Sequence, residues 1–185
     1  MIIYGMSFVA EVAATPGGKN IYACIQCGVC VGSCPVASEM EYPPRKIIAL
    51  IRAGMRDEVL SSSSMWYCLS CYMCAERCPR DVNPTELAHS LESLAARHGY
   101  RVKGTHIPVM YRSFVSSVMS NGRVHELGMM LRYYFTTNPL KALSMLPVAL
   151  RLFWHKRLPL RAHRVSSRKD LTRVVAKFRE VRGRR

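Results

Sequence analysis

All eight cysteines of the chain fall into two copies of one pattern, C-x-x-C-x-x-C-x-x-x-C-P, with none left over. The first copy is Cys24, Cys27, Cys30, Cys34 and Pro35; the second is Cys68, Cys71, Cys74, Cys78 and Pro79. Three thiolates at this spacing let one tight loop wrap three corners of a cubane iron–sulfur cluster. The fourth cysteine, followed by proline, leaves in another direction and in two-cluster chains ligates the other cluster. The expectation is two [4Fe-4S] clusters, one held by Cys24, Cys27, Cys30 and Cys78, the other by Cys68, Cys71, Cys74 and Cys34. Structural zinc favours two separated ligand pairs, and disulfides need an oxidising compartment, so both fit the pattern less well. Electron transfer is the chemistry such a set supports.

Residues beside the thiols complete the expected site. Gly28 permits the backbone angles that wrapping demands, whereas the second loop has Tyr72 at the matching place. Tyr22, Ile25, Trp66 and Tyr67 flank the cysteines and are expected to screen the clusters from water. His106, His125, His155 and His163 show no metal-ligand spacing with one another, and His89 and His98 read as surface or packing residues. No Ser-His-Asp set, phosphate loop or flavin-binding glycine pattern is present, so no catalytic residue is assigned.

The elements that must position these loops read as helices. Pro43 and Pro44 suit a helix start, with Ile47, Ile48, Ile51 and Met55 at helical spacing. After the second motif, Asn83 is a natural N-cap, Pro84 fits the first helical position, and Gly99 supplies a stop. Leu87, Leu91 and Leu94 face one way. Strand-like alternation is scarce outside the first dozen residues. The second half reads as helices over 109–120, 124–135 and 140–154, the last kinked or broken at Pro147. A final amphipathic helix over 170–182 carries Leu171, Val174, Val175, Phe178 and Val181 on one face. The fold class is therefore mainly α: a helical two-cluster domain plus a basic helical extension. Helices this short enclose little core and are expected to lie on the cluster domain or a partner.

Charge divides the 185 residues in the same place. Residues 1–100 hold 8 Lys and Arg against 9 Asp and Glu; residues 101–185 hold 19 against 3. We read an N-terminal segment at 1–20, a two-cluster domain at 21–100, and a basic extension for partner docking at 101–185. No basic residue precedes Lys19, which argues against a secretory signal, and no apolar run approaches the ~20 residues a membrane span needs. The expected location is the cytoplasm, with peripheral membrane contact through the basic extension as a further expectation. Charge is the sole support for a nucleic-acid-binding reading. The aromatics Tyr133, Tyr134, Phe135 and Trp154 sit at helical spacing among Leu and Met, as packing residues do.

The stretches CIQCGVCVGSCP, IRAGMRDEVL and WYCLSCYMCAERCPRDV together resemble the C-type iron–sulfur subunit of heterodisulfide reductases. The likeness is close over residues 20–100 and looser over GRVHELGMMLR. It implies an α-helical ferredoxin fold that passes electrons between a flavin-bearing A-type partner and a catalytic B-type partner. In that family the B-type partner carries cysteine-rich CCG motifs; this chain has none and no cysteine left to build one. The resemblance makes it a non-catalytic relay with no small-molecule substrate of its own. The alternative is an adaptor of a membrane-associated, quinone-linked oxidoreductase. The long basic extension tilts the reading toward a bacterial-type complex.

Overall fold

A computed structural model of the chain describes residues 7–102, 104–157 and 163–183, apart from the side chains of 179 and 181–183. The chain divides into two compact units, Met1–Thr105 and His106–Arg185. Every regular element among the described residues is helical. That includes α1, Phe8–Ala13, inside the one stretch where the sequence shows strand-like alternation.

In the first unit the long intervals between cysteine loops form α3, Pro44–Arg52, α4, Arg56–Ser61, and α6, Pro84–Arg97. The loops themselves contribute single turns, α2 at Val29–Gly32 and α5 at Met73–Glu76. Helix α3 starts at Pro44 and buries Ile47, Ile48 and Ile51. The helical pattern does not run on to Met55, because Gly54 turns left-handed at φ 76. Met55 is consequently exposed rather than a fourth core residue. Helix α6 begins where the Asn83 side chain accepts a hydrogen bond from the Glu86 amide at 3.0 Å. Its inner face buries Leu87, Leu91 and Leu94 against Val12, Ile21, Ile51, Val59 and Leu60. Each such side chain, fully withdrawn from water, contributes about 1.5–3 kcal/mol.

Two devices tie the N-terminal residues to this core. Helix α1 buries Phe8 and Val12, and Glu11 pairs with Arg56 on α4 and with His98 Nε2 at 3.1 Å. The 3₁₀ turn Pro16–Gly18 then lies directly on the first turns of α6. A Cβ on Gly17 would stand 2.1 Å from the Glu86 carbonyl, so only glycine fits there. Its amide donates to Ser90 Oγ at 3.2 Å.

The second unit contains α7, Ile107–Asn121, α8, Glu126–Thr137, α9, Pro139–Ser144, α10, Leu146–Trp154, and α11, Arg168–Gly183. The stretch 140–154 is broken, not merely kinked. Met145 ends α9, and Pro147 takes the second position of α10, where its missing N–H costs nothing. Helix α7 packs on α8 and α11, and Ser117 Oγ accepts the His125 amide at 2.9 Å. Buried side chains among the described residues of this unit are Ser113 and Ser117 alone. Phe135 and Trp154 are 68% and 83% exposed, so the packing role expected of them is not met within the unit. On α11, Leu171 and Val175 are half-buried while Val174 and Phe178 are exposed; Val181 lies outside the described side chains. No helix among the described residues is long and apolar enough to cross a membrane.

Candidate iron–sulfur centre

The two cysteine loops share one backbone path. Each is preceded by a 3₁₀ turn, Ile21–Ala23 or Ser64–Tyr67, and each closes into a single helical turn. The second residue after the first cysteine is left-handed in both, Gln26 at φ 59 and Ser70 at φ 55. So is the fourth, Gly28 at φ 85 and Tyr72 at φ 59. A left-handed tyrosine persists only where surroundings over-determine it. Here its hydroxyl donates to Glu86 Oε1 on α6 at 2.6 Å. Ser70 is held in the same way, its Oγ 2.9 Å from His89 Nε2. Gly28 has no such tether and needs none.

The eight thiols surround two hollows. One, of about 360 Å³ and open to solvent, is lined by Cys24, Cys27, Cys30 and Cys78. The other, of about 570 Å³ and likewise open to solvent, is lined by Cys34, Cys68, Cys71 and Cys74. Pro84, at the start of α6, stands in the wall of both, and the adjacent Ile47 and Ile48 of α3 face one each. The thiols do not converge on a point: among the described residues no three His, Cys, Asp or Glu side chains gather as ligands of a single ion. Four soft thiols spread around each hollow suit a cubane, whose irons lie apart and take one thiolate each.

Of the flanking residues that the sequence marks, Ile25, Gly28 and Pro79 line the first hollow and Pro35 the second. Tyr22, Trp66 and Tyr67 line neither, though Trp66 packs against the core. Tyr22 and Ile25 are 59% and 60% exposed. Screening by burial falls instead to Met40, Met65, Leu87 and Leu91 around the second hollow and to Ile48 and Val82 around the first.

Several groups facing the sulfurs carry no signal in the sequence. Thr85 Oγ1 lies 3.4 Å from Cys74 Sγ, and Gln26 Nε2 donates to Cys24 Sγ at 3.5 Å. Hydrogen bonds to cluster sulfurs are a lever on reduction potential. Arg45 lines the first hollow, Arg52 donates to the Cys24 carbonyl at 2.8 Å, and Arg80 to the Ala23 carbonyl at 3.3 Å. Two of the thiols, Cys30 and Cys68, resist ionisation. Burial pushes Cys30 up to about 11, with Cys24, Cys74 and Cys27 adding to the rise. Burial likewise raises Cys68, aided by Cys74, Glu92 and Cys34 and opposed by the Ser70 amide. Metal binding to such thiols must expel their protons.

Comparison with known proteins agrees with the chemistry. Residues 20–82 match the 4Fe-4S dicluster domain family. The chain is 41% identical over 110 residues to the C 2 iron–sulfur subunit of the CoB–CoM heterodisulfide reductase of Methanocaldococcus jannaschii, covering 59% of each chain. It is 39% identical over 92 residues to the C-type iron–sulfur subunit of the Methanopyrus kandleri enzyme, covering 50% of this chain and 48% of that one. With the C-type subunit of the ferredoxin:CoB–CoM heterodisulfide reductase of Methanosarcina acetivorans the figures are 39% over 89 residues, 48% and 36%. The matched stretch thus spans roughly half the length of these relatives. The near-equal shares make the first two relatives about as long as this chain. Length beyond the cysteine motifs is therefore no ground for a bacterial-type complex. Over its cysteine-bearing part, this chain is similar both to the 4Fe-4S dicluster domain family and, at about 40% identity, to the C-type iron–sulfur subunits of CoB–CoM heterodisulfide reductases.

Proposed function

We propose that the chain is the electron-relay subunit of a heterodisulfide reductase-like complex, carrying electrons through two [4Fe-4S] clusters. Its partners on this reading are a flavin-bearing protein of the A type and a CCG-bearing catalytic protein of the B type. The observation that supports it most is the pair of adjacent hollows. Each is lined by three thiols of one motif and the fourth thiol of the other. Cluster one would be held by Cys24, Cys27, Cys30 and Cys78, cluster two by Cys68, Cys71, Cys74 and Cys34. Bound there, the clusters would supply one-electron storage on either side of Pro84, which lines both hollows. The relatives' names, all of C-type reductase subunits, agree with a role inside a larger complex.

Anaerobic purification of the native complex tests this directly. About eight irons per chain, with flavin-bearing and CCG-bearing partners alongside, is the expected result. Zinc in place of iron, or disulfide reductase turnover by the isolated chain, would refute it. Ligand sharing is tested by Cys34→Ser, which should remove or alter the EPR signal of the cluster held by Cys68, Cys71 and Cys74. Loss confined to the cluster of the Cys24 loop would refute the sharing.

A second reading, the membrane-associated adaptor, draws on α9 and α10. Leu140, Leu143, Leu150 and Trp154 are more than half exposed there, beside Lys141, Arg151, Lys156 and Arg157. Exposed apolar residues flanked by cations suit an anionic bilayer surface. Co-flotation with anionic but not neutral vesicles is the expected outcome on that reading, and absence of flotation at low salt would exclude it.

A further inference from the structure

The two loops offer equivalent apolar tips to solvent but different charged surroundings. Ile25 and Leu69, each directly after a first cysteine, are 60% and 62% exposed. Val29 and Met73, each directly before a third cysteine, are 39% and 41% exposed. Cys27 and Cys71 are exposed as well. Each hollow therefore opens beneath an apolar patch at which an electron could enter or leave.

Around the first patch stand Arg45, Arg52 and Arg80, all exposed. None pairs with a carboxylate among the described residues, and the adjacent Asp81 makes no ion pair with Arg80. Arg52 and Arg80 each spend one donor on a backbone carbonyl, leaving the rest of the guanidinium fork free. The second patch is ringed differently. Its tethers bring Glu86 and, through His89, Glu92 against the loop, and among the described residues no lysine or arginine lines its hollow. Contrast this with Arg56, placed elsewhere in the unit and fully engaged by Glu11. The arginines at the first patch are thus a local excess of positive charge, not part of an internal network.

We propose that the first patch, Ile25 and Val29 ringed by Arg45, Arg52 and Arg80, docks an acidic redox partner. That partner would present its cofactor edge in an apolar patch rimmed by Asp and Glu. Redox encounters have small interfaces, so an apolar centre with a charged rim is sufficient. The charges act mainly on encounter rate and on choice of partner. The second patch, with Glu86 and Glu92 beside it and no such arginine rim, offers an acidic partner no matching attraction, so the two ends of the relay would discriminate between partners by charge. The proposal rests on the two-cluster reading above.

The test uses the full chain with its clusters and a flavodoxin hydroquinone as the acidic electron donor. Iron analysis and EPR on the unaltered chain check the clusters separately, so failure of the relay reading shows itself independently of docking. The reduction rate should fall about tenfold or more between about 50 mM and about 500 mM salt. Arg45→Gln, Arg52→Gln and Arg80→Gln together should slow it about tenfold at low salt and flatten the salt dependence. Arg45→Glu alone, which breaks no backbone hydrogen bond, should act in the same direction. Changing Arg151, Lys156 and Arg157 to Gln removes equal charge from the second unit and should leave the rate near that of the unaltered chain. Equal slowing by both triple variants would overturn the proposal. So would equal slowing of reduction by the methyl viologen radical cation, which would trace the effect to driving force instead of docking.

Discussion

Replacing Gly17 by alanine should unfold the first unit's packing from a position that touches no cysteine. The added methyl would stand 2.1 Å from both the carbon and the oxygen of the Glu86 carbonyl and 2.4 Å from the Leu87 nitrogen. Ordinary contact begins near 3.4 Å, so the turn and the helix must part by more than an ångström. The obstacle is helix backbone, which cannot swing aside as a long side chain would. Over-packing of this kind costs typically 1–3 kcal/mol, and a backbone obstacle puts Gly17→Ala at about 3 kcal/mol or above. For a unit of this size, that corresponds to a melting temperature lower by more than about 10 °C. The displaced helix, α6, carries Pro84 and Thr85 in the hollow walls, so cluster retention should fall with stability. Gly32→Ala is the matched control. It sits in the helical turn of α2 with nothing within 4 Å, and alanine there should stabilise by about 0.5 kcal/mol. Anaerobic melts followed by far-UV circular dichroism and by visible cluster absorption would measure both. A Gly17→Ala protein melting within about 2 °C of the parent would refute the close-approach argument.

Leu91→Ala, at a fully buried position, should cost about 2–5 kcal/mol, and Asn83→Ala, which removes the cap of α6, about 1 kcal/mol, both by denaturant titration. Burial alone would raise the Glu11 carboxyl, but Arg56 and then His98 hold it below its ordinary 4.5. Its contribution is complete above that value and is lost as pH falls through the lower folded-state value. Glu11→Gln should therefore flatten the acid limb of the stability profile, and an unchanged limb would contradict the pairing. Tyr72→Phe and His89→Ala cut the tethers between the second loop and α6. Each should broaden the EPR signal of the second cluster and leave the first unaltered; the reverse pattern would contradict the tethering.

The helices were legible because their signals are local. Asn83 and Pro84 start α6, and the apolar spacing of Leu87, Leu91 and Leu94 marks its buried face. Where the pattern misled, a single backbone feature intervened. Gly54 separates α3 from α4, and the turn at Met145 separates α9 from α10. The expectation that Phe135 and Trp154 pack internally followed from their spacing alone, which cannot tell a face turned inward from one left exposed. The alternation of the first dozen residues likewise lost to the burial of Phe8 and Val12 on one face of α1.

By itself, then, the amino-acid order determined the thiol inventory, the helical class and the division of charge between the two halves. Those follow from composition and from spacings within one or two turns. The motif supplies only an expectation that each fourth cysteine serves the other loop; the tertiary structure sets Cys34 at the hollow of Cys68, and Cys78 at that of Cys30, by packing the two loops around α3 and α6. The same packing set Ser70 against His89, Tyr72 against Glu86, and three arginines around a single loop. No local rule encodes such pairings. They arise where burying Ile51, Leu60 and Leu91 in one core brings the intervening loops together.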